Sequence, residues 1–278
     1  MSIRIISRSV WSNPGNRDKR VRKLFAALWW QIYKRVVKRP RVITLANGAR
    51  FRAYPDCVIS SALQYADWPE YEEFHFCRRH LKPGDTVLDV GANVGHLSLL
   101  LSDIVSAKNL YCFEPTPVTW ARLRENFELN GWPVTKLYQA AVGQCEGTLD
   151  FPDSAKPDTT NSAAWSSPGV RTVSVRLLPL DSFVPELAGR NVGLLKIDVE
   201  GFEREVFLGA KCFLRQAKPR LVMFESLARR LDEEVEQVLR EAGYITFKLG
   251  GQGQPIAEPL DAQNLFATPK ELFSAIHG

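Results

Sequence analysis

The run Val87-Leu88-Asp89-Val90-Gly91-Ala92-Asn93-Val94-Gly95 sets an apolar strand pattern, an acid and two glycines directly before an apolar helical pattern that begins near His96. Glycine lets backbone approach a ligand with no Cβ in the way, and a helix start offers free N–H groups and partial positive charge to a carboxylate. Asp89 adds a partner for an ammonium group. Twenty-five residues later, Glu114 stands where a second strand should end; a carboxylate there can accept both hydroxyls of a ribose. The loop lacks the third glycine of the GxGxxG form that a dinucleotide pyrophosphate needs. It suits an amino-acid carboxylate better. Without a ligand, the glycines would make a tight turn and Glu114 would be a surface residue before Pro115. Both elements falling in register with the strands favours the site.

Further acids follow. In Leu194-Leu195-Lys196-Ile197-Asp198-Val199-Glu200-Gly201, Asp198 and Glu200 emerge at the carboxyl edge of a fourth strand, and Glu225 ends a fifth. Open α/β sheets bind ligands at that edge. A carboxylate within reach of a hydroxyl can take its proton while the oxygen attacks, so Asp198, or failing it Glu200 or Glu225, is expected as a base. The bland alternative is that Asp198 or Glu200 caps the next helix. An acid after strand four and Glu225 after strand five also match part of a site in which a divalent ion would lower the pKa of a hydroxyl. Because Ser226 stands where such sites continue with an amide, no metal ligand is assigned. None of the four histidines has a clear partner. The segment Pro152 to Gly169 carries Asn161, Ser162 and Trp165, polar groups and a flat aromatic surface suited to a sugar acceptor; equally, Trp165 could pack on the core.

These residues need a scaffold. From Thr86 onward, apolar runs of strand length alternate with helical patterns, the signature of βαβ units and a mostly parallel sheet. Strands are expected at Thr86 to Val90, Asn109 to Phe113, Val134 to Ala140, Gly193 to Ile197, Arg220 to Glu225, Tyr244 to Lys248 and Asn264 to Thr268, with an inserted hairpin at Thr148 to Phe151 and Arg171 to Leu177. Helices should cover both faces of this doubly wound, Rossmann-like α/β sheet. Before it, Glu70 to His80 reads as a helix, and Asn47-Gly48 as the turn of a hairpin within Arg41 to Tyr54.

Residues 1 to 41 hold 12 Lys or Arg and one acid, Asp18, so the net charge of +5 hides a basic extension and an acidic remainder. Val21, Leu24, Phe25, Leu28, Trp29, Ile32 and Val36 recur at helical spacing. They suggest an amphipathic helix that packs on the rest of the chain or on a second subunit, or one that lies on an anionic membrane through residues 21 to 39. Leu24 to Tyr33 is too short to span a bilayer and lacks the small-residue cleavage site of a signal peptide. Five scattered cysteines without a CxxC pair fit a reducing compartment, so a cytoplasmic location is expected, with the membrane periphery as the other reading. The division expected is a basic extension over 1–55 and an enzyme domain over 56–278.

Taken in order, Asp89 to Gly95, Phe113-Glu114-Pro115, Asn126 with Leu129-Asn130, Ala141-Val142-Gly143, Asn161-Ser162, Leu180-Asp181, Lys196 to Glu203, Phe224-Glu225, Ala242-Gly243-Tyr244 and Asn264-Leu265-Phe266 resemble the FkbM family of methyltransferases. The resemblance runs across residues 85 to 267 and implies a class I methyltransferase fold with a seven-stranded sheet. It further implies S-adenosylmethionine as donor and O-methylation of a sugar, glycan or natural product. By position, Asp89, Gly91, Asn93 and Gly95 would hold the methionine end, Glu114 the ribose, and Ala140 to Val142, with Ala141 among them, the adenine edge; Asp198 is also counted among the cofactor-binding residues. His96 departs from the aromatic residue frequent in that family.

Rival readings are a nucleic-acid methyltransferase, a nucleotide-dependent oxidoreductase and a silent module that only binds S-adenosylmethionine. The first is disfavoured because Asp198-Val199-Glu200-Gly201 is not the Pro-Pro-aromatic motif of base amino-methylation, and because the basic residues sit outside an acidic domain. The second is weakened by the missing third glycine.

Overall fold

The computed structural model describes residues 3–152 and 172–277. Two helices come first, α1 (Ile3–Ser12) and α2 (Arg20–Val36), then a hairpin of β1 (Arg41–Thr44) and β2 (Arg50–Ala53), then α3 (Val58–Tyr65) and α4 (Tyr71–His80). The hairpin turns where Gly48 adopts φ +89°, as the Asn-Gly pair leads one to expect. The α/β part continues as β3 (Thr86–Val90), α5 (His96–Leu101), β4 (Leu110–Phe113), α6 (Pro117–Leu129), β5 (Leu137–Tyr138) and β6 (Ala140–Val142). Next come β7 (Gly147–Pro152), β8 (Thr172–Leu178), α7 (Val184–Leu187), β9 (Val192–Ile197), α8 (Glu203–Leu208) and α9 (Lys211–Gln216). The chain ends with β10 (Leu221–Glu225), α10 (Glu233–Glu241), β11 (Tyr244–Leu249), β12 (Pro255–Ile256), β13 (Asn264–Pro269) and a 3₁₀ segment over Lys270–His277.

The main sheet has the order β12-β11-β13-β10-β9-β3-β4-β5. Strands β5, β4, β3, β9 and β10 run parallel, and β13 inserts antiparallel between β10 and β11. Leaving aside the two-residue edge strand β12, these are the seven expected strands, in the arrangement of a class I methyltransferase. Direction along the sheet reverses between β3 and β9, and a crevice opens at their carboxyl ends, where such folds hold ligands.

One expected strand is divided. Residues Val134 to Ala140 do not form a single edge strand: β5 pairs with β4, and after Gln139 the chain leaves the sheet so that β6 pairs parallel with β8. The β7–β8 hairpin thus forms a separate three-stranded sheet with β6, which gives Ala140–Val142 backbone partners it would lack on an open edge.

Alternating side chains of the central strands divide the apolar interior between two faces. Val87, Cys112, Leu194 and Met223 point to one side, and Leu88, Tyr111, Leu195 and Val222 to the other. The first of these clusters is continuous with Ile6, Val10, Trp30 and Phe51 of the N-terminal elements. The face that α2 packs inward is Lys23, Ala27, Trp30 and Gln31. Of the residues expected to share one packed face, Leu24 and Leu28 are half-buried, whereas Val21, Phe25, Trp29, Ile32 and Val36 are exposed. The reason is local: Trp30, not Trp29, fits against α3, where its indole N–H donates to Ser61 Oγ at 3.0 Å.

Candidate active site

The turn after β3 is shaped by close backbone approach. Gly91 adopts φ +73°, and a Cβ there would lie 1.8 Å from the Asp198 carbonyl oxygen, so no side chain fits. The N–H groups of Gly91 and Ala92 both donate to Phe113 O, at 3.0 and 2.9 Å, which joins the ends of β3 and β4. Asn93 follows at φ +50°. Its N–H donates to Glu114 Oε2 at 3.0 Å, and Thr116 N–H donates to Glu114 Oε1 at 3.0 Å. Burial pushes the Glu114 carboxyl up to about 7 despite these bonds and the nearby Lys196.

Behind this turn lies a buried ion network. Lys196 Nζ donates to Gly91 O at 2.7 Å and sits 3.4 Å from both Asp89 Oδ1 and Asp198 Oδ2. Burial alone would lower the lysine's proton affinity, but the carboxylates of Asp198, Asp89 and Glu70 outweigh it and hold the ammonium above its ordinary range. Asp89 is 1% exposed and accepts a hydrogen bond from Ser98 Oγ at 2.7 Å. It therefore lies beneath the cleft wall rather than on it. Gly95 is also off the wall: at φ +84°, with Leu123 2.6 Å from where its Cβ would be, it seats α5 against α6. In this structure Asp89 and Gly95 support the cleft wall from behind.

A cleft of about 400 Å³ opens at the carboxyl ends of β3, β4, β9 and β10, within the range of small-molecule sites. Gly91, Asn93, Glu114, Ala141, Asp198, Glu200 and Glu225 all line it. Its walls differ. One end is apolar, built from Phe113, Ala140, Ala141, Val142 and Phe202; the other is acidic, with Glu70, Asp198, Glu200 and Glu225. Phe151, at the end of β7, also faces the cleft. Asn161, Ser162 and Trp165 lie outside the described residues.

The acidic end is held in uncommon backbone. Glu70 and Glu200 adopt φ +50° and +55°, in the left-handed region that costs a side-chain-bearing residue about 1–3 kcal/mol and collects at functional sites. Neither Asp198 nor Glu200 caps α8. Instead Glu203 reaches back to accept from Val199 and Gly201 N–H at 3.0 and 3.2 Å, closing the turn that presents Asp198 and Glu200. Burial in the cleft wall, then the charges of Asp198, Glu225 and Glu203, push Glu200 up to about 7. Glu225 is shifted upward too, chiefly by burial. Its Oε1 accepts from Gln263 Nε2 at 2.9 Å, and its buried Oε2 has no hydrogen-bond partner among the described residues. His96 lines the cleft with an Nδ1 that has no hydrogen-bond partner among the described residues, and burial followed by the Lys196 charge lowers its pKa to about 4, so the ring is neutral.

Sequence reasoning missed Lys196, Glu203 and Glu70 as working parts of the site. For Lys196 a signal existed, a lone lysine inside an apolar strand, since lysine is rarely buried unless paired. Glu70 gave none, because its place depends on how the chain enters α4.

A family profile described as the Methyltransferase FkbM domain matches residues 89–246, more than half of the chain. The chain belongs to the FkbM methyltransferase family. Among characterised relatives it is similar to the 2-O-methyltransferase NoeI of Sinorhizobium fredii, 28% identical over 47% of this chain and 59% of that protein. It is also similar to the hexuronic acid methyltransferase AglP of Haloferax volcanii, 29% identical over 57% and 62%. A third relative, the 31-O-demethyl-FK506 methyltransferase FkbM of Streptomyces tacrolimicus, is 28% identical over 47% and 61%. The matches thus span less than two thirds of the length of these curated relatives. A crystal structure of methyltransferase FkbM from Methylobacillus flagellatus aligns over 91% of this chain and 60% of that one, with 14% identity and a TM-score of 0.45.

Proposed function

We propose that this methyltransferase carries the methyl group of S-adenosylmethionine to a hydroxyl of a neutral, hydroxyl-rich acceptor, a sugar, glycan or natural product. The observation behind this reading is the acidic end of the cleft. Ionised carboxylates only accept hydrogen bonds, and Glu225 Oε2 is buried with none from the described residues. An acceptor with several O–H donors satisfies such a wall, whereas a phosphate or carboxylate on the acceptor would be repelled by it. The relatives support hydroxyl chemistry by name, and the same wall separates this chain from a hexuronic acid acceptor.

The residues present fit the donor. Glu114 keeps lone pairs for two ribose hydroxyls beyond its two backbone bonds, and Ala140, Ala141 and Val142 give a flat apolar surface for adenine. The bare backbone at Gly91 and Asn93 admits the methionine carboxylate, and Asp198, steadied by Lys196, takes its ammonium group. When bound, S-adenosylmethionine supplies a sulfonium methyl group for direct displacement.

The chain's own part is alignment and proton removal. Glu200, with a proton affinity near neutrality, accepts the hydroxyl proton as the oxygen attacks, and Glu225 holds a neighbouring hydroxyl. A general base of this kind gives typically about 10²–10⁴-fold. Calorimetric titration with S-adenosylmethionine, followed by transfer of its labelled methyl group to a panel of neutral sugars, uronic acids and RNA, tests the proposal. Labelling of neutral sugars carries it; donor binding with transfer only to uronic acids or RNA sinks the acceptor assignment.

A further inference from the structure

Five large apolar side chains on α2 face solvent: Val21, Phe25, Trp29, Ile32 and Val36 are 62%, 69%, 47%, 64% and 74% exposed. At 3.6 residues per turn they fall within an arc of about 80°. That arc lies opposite the buried Lys23, Ala27, Trp30 and Gln31. On α1, Ile5 and Trp11 are exposed as well. A contiguous apolar patch on a folded protein marks a contact surface.

The margins of the stripe are basic. On the helical projection Arg22 and Arg35 border its two sides, and Lys38 and Arg39 follow its C-terminal end; all four are exposed. The Arg41 guanidinium lies 4.5 Å from the centre of the Trp29 ring. Asp18 is the only acid among the first 41 residues.

We infer that this face docks the enzyme on an anionic lipid surface, with the stripe at the headgroup–acyl boundary and the basic margins among the headgroups. An apolar stripe flanked by Lys and Arg is the chemistry of a helix lying in that plane. A second copy of the chain is a poor occupant, because a two-fold interface would set the basic margins against themselves. Nucleic acid would answer the charges but leave Val21, Ile32 and Val36 in water, since phosphate contacts are made by polar and cationic groups. Among the described residues no helix is long and apolar enough to cross a membrane. Docking along the surface is therefore the geometry α2 supports. The inward face of α2 meets α3, whose Ile59 lines the cleft, and Lys19 and Lys23 bind Asp67 at 2.7 and 2.5 Å, three residues before Glu70.

Sedimentation of the full chain with phosphatidylcholine vesicles, with and without about one third phosphatidylglycerol, tests this. Strong partition onto the anionic vesicles and little onto the neutral ones is expected. Each basic residue near such a surface is worth about fivefold, so R35Q/K38Q/R39Q should lose about a hundredfold. F25S/I32S should lose at least tenfold, since burying large apolar side chains supplies the rest. Both variants change exposed residues and should keep the wild-type melting temperature and donor affinity. The inference is overturned if the wild-type protein stays in solution with anionic vesicles, or if F25S/I32S partitions as strongly as wild type. It is equally overturned if light scattering finds a dimer that F25S/I32S dissolves, or if an oligonucleotide duplex outcompetes the vesicles.

Discussion

The two ends of the cleft are built on different principles. At the proposed donor end the turns after β3 and β4 are tied together by backbone bonds and an ion pair: Glu114 accepts from two backbone N–H groups, Gly91 and Ala92 donate to Phe113 O, and Asp89 accepts from Ser98 through Oδ2 while its Oδ1 lies 3.4 Å from Lys196. At the proposed acceptor end, Glu70 and Glu200 sit in left-handed backbone, Glu225 keeps a buried oxygen without a hydrogen-bond partner among the described residues, and the charged side chains lining the cleft are of one sign. A finished cradle suits a cofactor that is the same in every turnover. An unsatisfied, like-charged wall suits a partner whose hydroxyls complete it.

Glu200→Gln strikes hardest at this contrast. We expect kcat to fall about 10²–10⁴-fold with donor affinity kept, as for loss of a general base. In the wild-type enzyme, kcat at saturating donor should rise with pH through about 7 and level off above it, because the base works only when ionised. The glutamine variant should lose that rise. An unchanged profile would move the base to another carboxylate.

The network joining the two ends is tested by Lys196→Met. Removing the ammonium leaves the buried Asp89 without its counter-charge, and breaking such a pair costs about 3–5 kcal/mol, readable as a lower urea midpoint. Restoration of stability in K196M/D89N would show the loss to be electrostatic rather than steric.

A smaller effect is expected at the donor end alone. Glu114→Ala removes charge-assisted hydrogen bonds worth about 1.5–3 kcal/mol, or roughly ten- to a hundredfold in the donor Kd by calorimetry, with acceptor KM little changed. Least of all, Glu225→Gln should raise acceptor KM several-fold, by about 0.5–1.5 kcal/mol, and leave donor binding intact. If it weakened donor and acceptor alike, the two ends would not be separable.

The donor end was the more legible half of the sequence because it follows from local rules. An apolar run, an acid and glycines fix a strand, a turn and a helix start within nine residues, and the seven strands announced themselves through length and apolar content. The β5–β6 division was not legible, since the choice between staying on the sheet and pairing with β8 depends on a strand that arrives thirty residues later. Nor was α3. Serine is a weak helix former that competes for backbone hydrogen bonds, yet Ser60 and Ser61 are buried in it because Ser60 Oγ takes the Tyr54 N–H and Ser61 Oγ the Trp30 indole. The acceptor rim was half legible: Asp198, Glu200 and Glu225 follow from strand ends, whereas Glu70 arrives from outside the α/β core.

The clasp of Lys19 and Lys23 on Asp67 bears on how this enzyme could be recombined with its kin. The turns after β3 and β4 that frame the proposed donor end fall within residues 87–116 and could be transplanted as a cassette. The acceptor rim could not. Its outermost carboxylate is reached through a loop pinned by the N-terminal helix, so a chimera that swaps acceptor preference must exchange that helix and the rim as a single unit.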